Sequence, residues 1–187
     1  VTGLKVVLPA SPSDAKGLIV SAIRDDNPVI VVLNKKMLGM KGDVPEELYS
    51  VPIGVANVVR EGADVSVVAI GRMVVEATKA AAALEEQGVS VEIIDPRSVQ
   101  PLDIDTITDS VRKTNRVLIV HEAVEFGGIG AEISSQIQEA AFDYLDAPVA
   151  RLAAPFAPVP YAPVLENAYV PDAARIEASV RRLLERR

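Results

Sequence analysis

Short runs of β-branched and aliphatic residues alternate along this chain with longer stretches in which apolar residues recur every three or four positions. The stretches predict amphipathic helices. The runs predict buried strands at residues 4–8, 29–33, 65–70, 89–94, 117–120 and 149–153. Strands that alternate with helices form a mostly parallel sheet with helices on both faces. The sequence therefore predicts an α/β fold.

Local signals place several helix ends. Ser11 can cap a helix, Pro12 suits the first helical position, and Asp14 brings a carboxylate to the positive end of the helix dipole. Asp103 is a second expected helix start. Residues 34–52 lose the apolar periodicity and carry glycine, proline and charge, which indicates a linker or a subunit-contacting loop.

Composition and charge exclude several classes of protein. The chain has 187 residues, of which 49% are hydrophobic and 24% charged, so a packed core is expected. A net charge of −7 argues against nonspecific binding to nucleic acid or to an anionic membrane. No apolar run reaches the ~18 residues that span a bilayer. The absence of cysteine excludes disulfides and thiolate chemistry and fits a cytoplasmic location.

The beginning of the chain lacks an initiator Met and enters a predicted strand almost at once. It also lacks the charged region and long apolar stretch of a signal peptide. We therefore expect the chain to be part of a longer protein.

A glycine cluster, Phe126-Gly127-Gly128-Ile129-Gly130, follows a predicted strand and precedes a predicted helix. Backbone amides in this setting can hold a phosphate. The dinucleotide fingerprint fails, because its third glycine would fall at Ile133, and no Gly-Lys-Ser/Thr of a phosphate loop follows. A nucleotide-binding, flavoprotein-like domain is thus disfavoured. The cluster is either a tight turn where helix and sheet approach closely or a ligand contact.

His121, the only histidine, stands beside Glu122 at the end of a predicted strand. Open parallel sheets usually place ligands at such ends. The pair could transfer protons, or Glu122 could fix the tautomer of the imidazole. No second histidine is available for a metal site, and no serine or cysteine nucleophile pattern lies nearby. A structural or interface role and a catalytic role both stay open.

Acidic residues gather in two places. Asp25, Asp26 and Asn27 end a predicted helix, where outward carbonyls can hold a monovalent cation or simply face solvent. Residues 122–166 carry seven acidic side chains against one basic side chain, Arg151, a net charge of −6. That segment is either a solvated face or a surface that steers a basic protein partner.

Several long segments match a known family in order. They are GLKVVLPASPSDAKGLIVSAIRDDNPVIVV, IIDPRSVQPLDIDTI, SVRKTNRVLIVHEAVEFGGIGAEI and AFDYLDAPVARL with the later PVPYAP. Together they resemble the beta subunits of thiamine-diphosphate-dependent 2-oxo acid dehydrogenases over nearly the whole chain. The resemblance implies the tail of a pyrimidine-binding domain at 1–43, a linker at 44–52 and a transketolase-type C-terminal domain at 53–187.

The resemblance also implies an activity for the complete enzyme. Such enzymes join two alpha and two beta subunits, use thiamine diphosphate and magnesium, and pass an acyl group to a lipoyl acyltransferase core. The cofactor's diphosphate and magnesium lie on the alpha side. The glutamate that activates the cofactor and a catalytic histidine precede Val1 in the family, so no catalytic or cofactor-binding residue is carried over. We expect the chain alone to be inactive.

Two sites are carried over by position. The family's potassium site corresponds to Ala22, Ile23, Asp25 and Asn27, and the acidic residue that docks the acyltransferase core corresponds to Asp146. The segments Met37–Glu46 and His121–Ala123 look slightly more like acetoin dehydrogenases than pyruvate dehydrogenases, and a branched-chain 2-oxo acid also stays open. The alternative function is a standalone, non-catalytic interaction module of the same fold.

Overall fold

Two β-sheets organise the chain in the computed structural model, which describes residues 2–185. The predicted segments 1–43 and 53–187 extend slightly beyond this range, because the structure does not describe Val1, Arg186 or Arg187. The strands are β1 (Lys5–Val7), β2 (Val29–Val31), β3 (Asn57–Arg60), β4 (Val65–Ala69), β5 (Val91–Asp95), β6 (Ser98–Gln100), β7 (Val117–Val124) and β8 (Ala150–Ala154). The helices are α1 (Pro12–Arg24), α2 (Met73–Glu85), α3 (Ile104–Thr114), α4 (Ile129–Ala141), α5 (Pro163–Tyr169) and α6 (Ala173–Glu185).

The larger sheet has five strands in the order β3-β5-β4-β7-β8. β4, β5, β7 and β8 run parallel, and β3 pairs antiparallel with β5 at one edge. All residues of β4 and β5 are buried, as the near-continuous apolar runs predict for a sheet covered on both faces. The predicted mostly parallel α/β fold is confirmed.

Helices cover both faces of this sheet. On one face α2 and α6 pack against β4, β5 and β7, with Leu84 and Val180 fully buried. On the other face α3 and α4 pack against the same strands, with Ile107 and Ile133 fully buried. The core is therefore two apolar layers separated by the sheet. None of the helices in residues 2–185 is long and apolar enough to cross a membrane.

The smaller sheet has three strands in the order β2-β1-β6. β1 and β2 are parallel, with Val6 opposite Ile30, and β6 pairs antiparallel with β1, with Val6 opposite Gln100. β6 thus comes from the predicted 53–187 segment but pairs with a strand of the predicted 1–43 segment. The domain division at 43 and 52 stays a prediction.

The start of α1 follows the sequence signals. Ser11 is the N-cap, its Oγ accepts a hydrogen bond from the backbone N–H of Asp14 at 3.0 Å, and Pro12 is the first helical residue. Between β2 and β3 the structure has only one short 3₁₀ turn, Lys35–Met37, so the predicted loop is largely confirmed.

Candidate functional site

A cavity of about 440 Å³ lies at the carboxyl ends of β1, β2, β4 and β7. Its apolar lining includes Leu8, Leu33, Ile70, Val99 and Ile129. Its polar lining consists of Asn34, Lys35, Arg72, His121 and Glu122. Ligands of parallel α/β proteins usually bind outside the carboxyl ends of strands, in cavities of this size. This cavity is therefore the leading candidate site in residues 2–185.

His121 lies in the wall of the cavity and is only 2% exposed. Its Nδ1 is 3.0 Å from the carbonyl oxygen of Ala123. Because a carbonyl only accepts, Nδ1 carries the proton and Nε2 is left as an acceptor. Nε2 is buried and has no partner within the described residues. Burial lowers the pKa of His121 below its ordinary value, which favours the neutral ring.

The glycine cluster is explained by the His121 ring. A Cβ added to Gly130 would lie 2.6 Å from Nε2, and one added to Gly128 would lie 2.7 Å from Cε1 of the same ring. The Gly128 Cβ would also lie 2.3 Å from the carbonyl oxygen of Val124. Gly127 has a φ of +69°, a left-handed conformation that glycine adopts most readily. The contacts support the reading of the cluster as a tight turn and close approach.

Glu122 does not bond to His121 within the described residues, because its two carboxylate oxygens are bound by other side chains. Its Oε1 accepts from Nε of Arg72 at 3.1 Å, and its Oε2 accepts from Nδ2 of Asn34 at 2.5 Å. Arg72 also contacts Glu76 at 3.1 Å. The idea that Glu122 fixes the His121 tautomer is therefore wrong; the Ala123 carbonyl does so. Glu122 instead joins the loop after β2 to the start of α2.

The predicted potassium ligands gather at the end of α1. Asp25 is the C-cap residue; its Oδ2 accepts from Nζ of Lys5 at 2.5 Å and its Oδ1 accepts from the backbone N–H of Asn27 at 2.9 Å. The Lys5 hydrogen bond is the largest cause of a lowered pKa for Asp25. Ala22 is half-buried, and Ile23 and Asn27 are exposed. The potassium site stays a prediction.

Asp146, the predicted docking residue, lies far from the cavity. Its backbone N–H donates to the carbonyl of Asn115, and its Oδ2 is 3.3 Å from Nη1 of Arg116. Asn115 and Arg116 immediately precede β7, so Asp146 lies at the amino end of that strand. Its side chain is 56% exposed and can be reached by a partner. Its docking role stays a prediction.

The sequence did not single out Asn34, Lys35 or Arg72 as site residues. A usable signal existed, because Arg72 follows β4 and Asn34 and Lys35 follow β2 within a few residues. What the sequence could not reveal is that β1, β2, β4 and β7 end around one cavity, since that depends on how the two sheets pack.

Comparisons with known proteins agree with this architecture. Residues 54–176 match the family described as transketolase, C-terminal domain. The beta subunit of acetoin:2,6-dichlorophenolindophenol oxidoreductase from Cupriavidus necator is 45% identical over 185 residues, covering 99% of this chain and 55% of the relative. The beta subunit of the pyruvate dehydrogenase E1 component from Bacillus subtilis is 44% identical over 184 residues, covering 98% of this chain and 56% of the relative.

A solved structure gives the same result at the level of the fold. The chain resembles a structure described as split gene transketolase, inactive beta4 tetramer, with a TM-score of 0.82 and 25% identity. The match covers 98% of this chain and 58% of that one. The chain spans about half the length of the curated relatives it matches.

Proposed function

This chain belongs to the transketolase C-terminal domain family, and we propose on that basis that it forms part of the beta subunit of a thiamine-diphosphate-dependent dehydrogenase. The complete enzyme would decarboxylate a 2-oxo acid or cleave acetoin and pass the acyl group to a lipoyl acyltransferase. The observation that carries the proposal is the 45% and 44% identity, over nearly the whole chain, to beta subunits of an acetoin and a pyruvate enzyme.

We assign assembly and docking, rather than catalysis, to the residues present. The close approach of the His121 ring to Gly128 and Gly130 favours a packing role for the glycine cluster over a phosphate-binding role. Residues 2–185 contain no group of three or more His, Cys, Asp or Glu side chains placed to hold a metal ion. We therefore assign the diphosphate and magnesium of thiamine diphosphate to the alpha subunit of the complete enzyme, as the family resemblance implies. A second beta subunit would complete the assembly.

A reconstitution assay tests the proposal. The 187-residue chain is mixed with thiamine diphosphate, magnesium, an artificial electron acceptor and either acetoin or pyruvate, and the full-length beta subunit with its alpha subunit is the comparison. We expect background rates from the chain alone and turnover from the reconstituted enzyme. Turnover by the chain alone would contradict the assignment, and the preferred substrate of the reconstituted enzyme would identify its class.

We propose that Asp146 docks a basic domain of the acyltransferase core. The exposed carboxylate of Asp146 would leave Arg116 and pair with a cationic side chain of the partner. Association driven by opposite charges should be fast and sensitive to salt. Asp146→Ala should weaken docking by about 1–3 kcal/mol. The measurement is calorimetric titration with the isolated peripheral-subunit-binding domain at two salt concentrations.

Asp143→Ala is the matched control for docking, because Asp143 is an exposed acid three positions earlier with no ion pair within residues 2–185. It should leave the affinity almost unchanged. Binding that responds neither to salt nor to Asp146→Ala would remove Asp146 from the interface.

We also propose that the end of α1 binds potassium in the complete enzyme through Ala22, Ile23, Asp25 and Asn27. Oxygen atoms of a helix C-terminus suit a hard monovalent cation. Asp25→Ala should abolish potassium-dependent thermal stabilisation of the full-length subunit, whereas Asp26→Ala, at the exposed neighbour, should preserve it. Identical melting curves of the unmodified subunit with and without potassium would rule the site out.

A further inference from the structure

The cavity at the carboxyl ends of β1, β2, β4 and β7 is lined by none of the residues to which docking or potassium binding is assigned above. We propose that it is a binding site for a small aliphatic monocarboxylate. The apolar tail of the ligand would lie against the cavity wall, and its carboxylate would lie at the mouth beside Lys35.

The shape and lining of the cavity indicate the tail. Its volume of about 440 Å³ falls within the range typical of sites for small organic molecules. Aliphatic side chains, among them Leu8, Ile70, Val99 and Ile129, supply most of its wall. Removing an alkyl chain from water against such a wall is favourable and does not require a specific hydrogen-bond geometry.

The charges around the cavity indicate the head group. Glu122 is bound by Arg72 and Asn34. Arg72 also contacts Glu76, which pairs in addition with Lys79, so the two acidic and two basic side chains of this network neutralise one another. Lys35, in contrast, lines the cavity and has no ion-pair partner within residues 2–185. One unmatched cation at the mouth of an apolar cavity favours a ligand with a single negative charge.

Lys36, the next residue in the chain, differs from Lys35 because it has an ion-pair partner. Lys36 lies outside the cavity lining, and its Nζ is 3.0 Å from Oε1 of Glu166. The two lysines have the same side chain and adjacent positions, but only Lys35 faces the cavity without a carboxylate of its own. They therefore form a matched pair for testing the role of the head group.

His121 provides a reporter of the cavity. It is the only histidine in the chain, so its ring gives a single imidazole signal in a nuclear magnetic resonance spectrum of the unmodified 187-residue chain. The ring lies in the cavity wall while Gly128 and Gly130 close off Nε2. A ligand in the cavity should shift this signal without having to bond to it.

The experiment titrates the chain with hexanoate, 1-hexanol and hexylammonium, which share a tail and differ in head group. We expect a saturable shift of the His121 signal with hexanoate, a weaker one with hexanol and none with hexylammonium. Equal shifts with all three would overturn the choice of a carboxylate. No shift with hexanoate would overturn the site.

Two variants complete the test. Lys35→Met keeps an unbranched side chain of similar size and removes its charge. It should therefore weaken hexanoate binding about threefold to fivefold, the scale of an exposed ion pair, and leave hexanol binding unchanged. Lys36→Met should leave both affinities unchanged. An effect of Lys36→Met on hexanoate as large as that of Lys35→Met would show general charge attraction and overturn the assignment of Lys35.

Discussion

At the scale of the residue, burial decides what the ionisable groups of this protein can do. Burial lowers the pKa of His121, and its ring is enclosed beside Gly128 and Gly130. These features favour a structural role for His121 over proton transfer. Asp95, at the end of β5, is only 1% exposed, and its Oδ1 accepts a hydrogen bond from the backbone N–H of Arg97 at 2.9 Å. Burial raises the pKa of Asp95 to about 7, and the charge of nearby Asp14 acts in the same direction.

The raised pKa of Asp95 predicts a pH-dependent stability. The folded state holds the proton up to about pH 7, whereas the ordinary value is 3.8, so this group's contribution falls as pH rises from about 4 to about 7. Asp95→Asn keeps an acceptor for Arg97 without a charge. It should raise the free energy of unfolding at pH 8 by about 1–3 kcal/mol and have little effect at pH 4.

Urea denaturation of the two proteins at pH 4, 6 and 8 measures the Asp95 effect as a difference between them, so that other titrating groups cancel. Asp143→Asn, at an exposed acid, is the control and should not reproduce the gain at pH 8. A difference between Asp95→Asn and the unmodified chain that stays constant from pH 4 to pH 8 would contradict the assignment.

At the scale of the element, the apolar runs predicted the buried parallel strands and the helices between them, because burial on both faces leaves a continuous apolar signature. Two strands and one α-helix were missed. β3 is half-exposed and β6 has three residues, so neither carries an apolar run, and α5 lies in a proline-rich stretch. Short antiparallel strands and short helices depend on neighbours far along the chain, which local periodicity does not describe.

The packing of α4 against β7 depends on Gly128 and Gly130, which leave room for the His121 ring. Gly130→Ala should lower the free energy of unfolding by about 1–3 kcal/mol, because the new Cβ would lie 2.6 Å from Nε2 and 2.8 Å from Cδ2 of His121. Urea denaturation measures the loss. Gly39→Ala is the control, since a Cβ at Gly39 would meet no atom within 4 Å. Equal losses for the two variants would show that the His121 contact is not the cause.

At the scale of the whole molecule, one carboxylate links the two sheets. Glu122, in β7 of the larger sheet, binds Asn34 in the loop that follows β2 of the smaller one. The sequence predicted both that Glu122 stands at a strand end and that residues 34–52 form a loop. It could not predict that they meet, because Asn34 and Glu122 are separated by 88 positions in sequence and no local pattern encodes so distant a contact.

Removing the Glu122 carboxylate should increase the mobility of the loop that follows β2. Glu122→Ala deprives Asn34 and Arg72 of a shared acceptor, so we expect faster hydrogen exchange at the amides of the 3₁₀ turn Lys35–Met37. Mass spectrometry of the exchanged chain measures it. Glu125→Ala is the control, since Glu125 contacts Arg151 and not the loop. Exchange at the turn that is equal in both variants would show that Glu122 does not hold it.

The pairing of β1 with β6 has a consequence for how the protein is made. β1 occupies Lys5–Val7, and its antiparallel neighbour occupies Ser98–Gln100. Ribosomes add about 5–20 residues per second, so β1 waits roughly 5–20 s for about 90 further residues before its second edge is covered. During that interval an apolar strand has one bare edge, which invites pairing with other nascent chains. We therefore expect aggregation during synthesis to be most sensitive to the spacing of nascent chains before residue 100 has emerged.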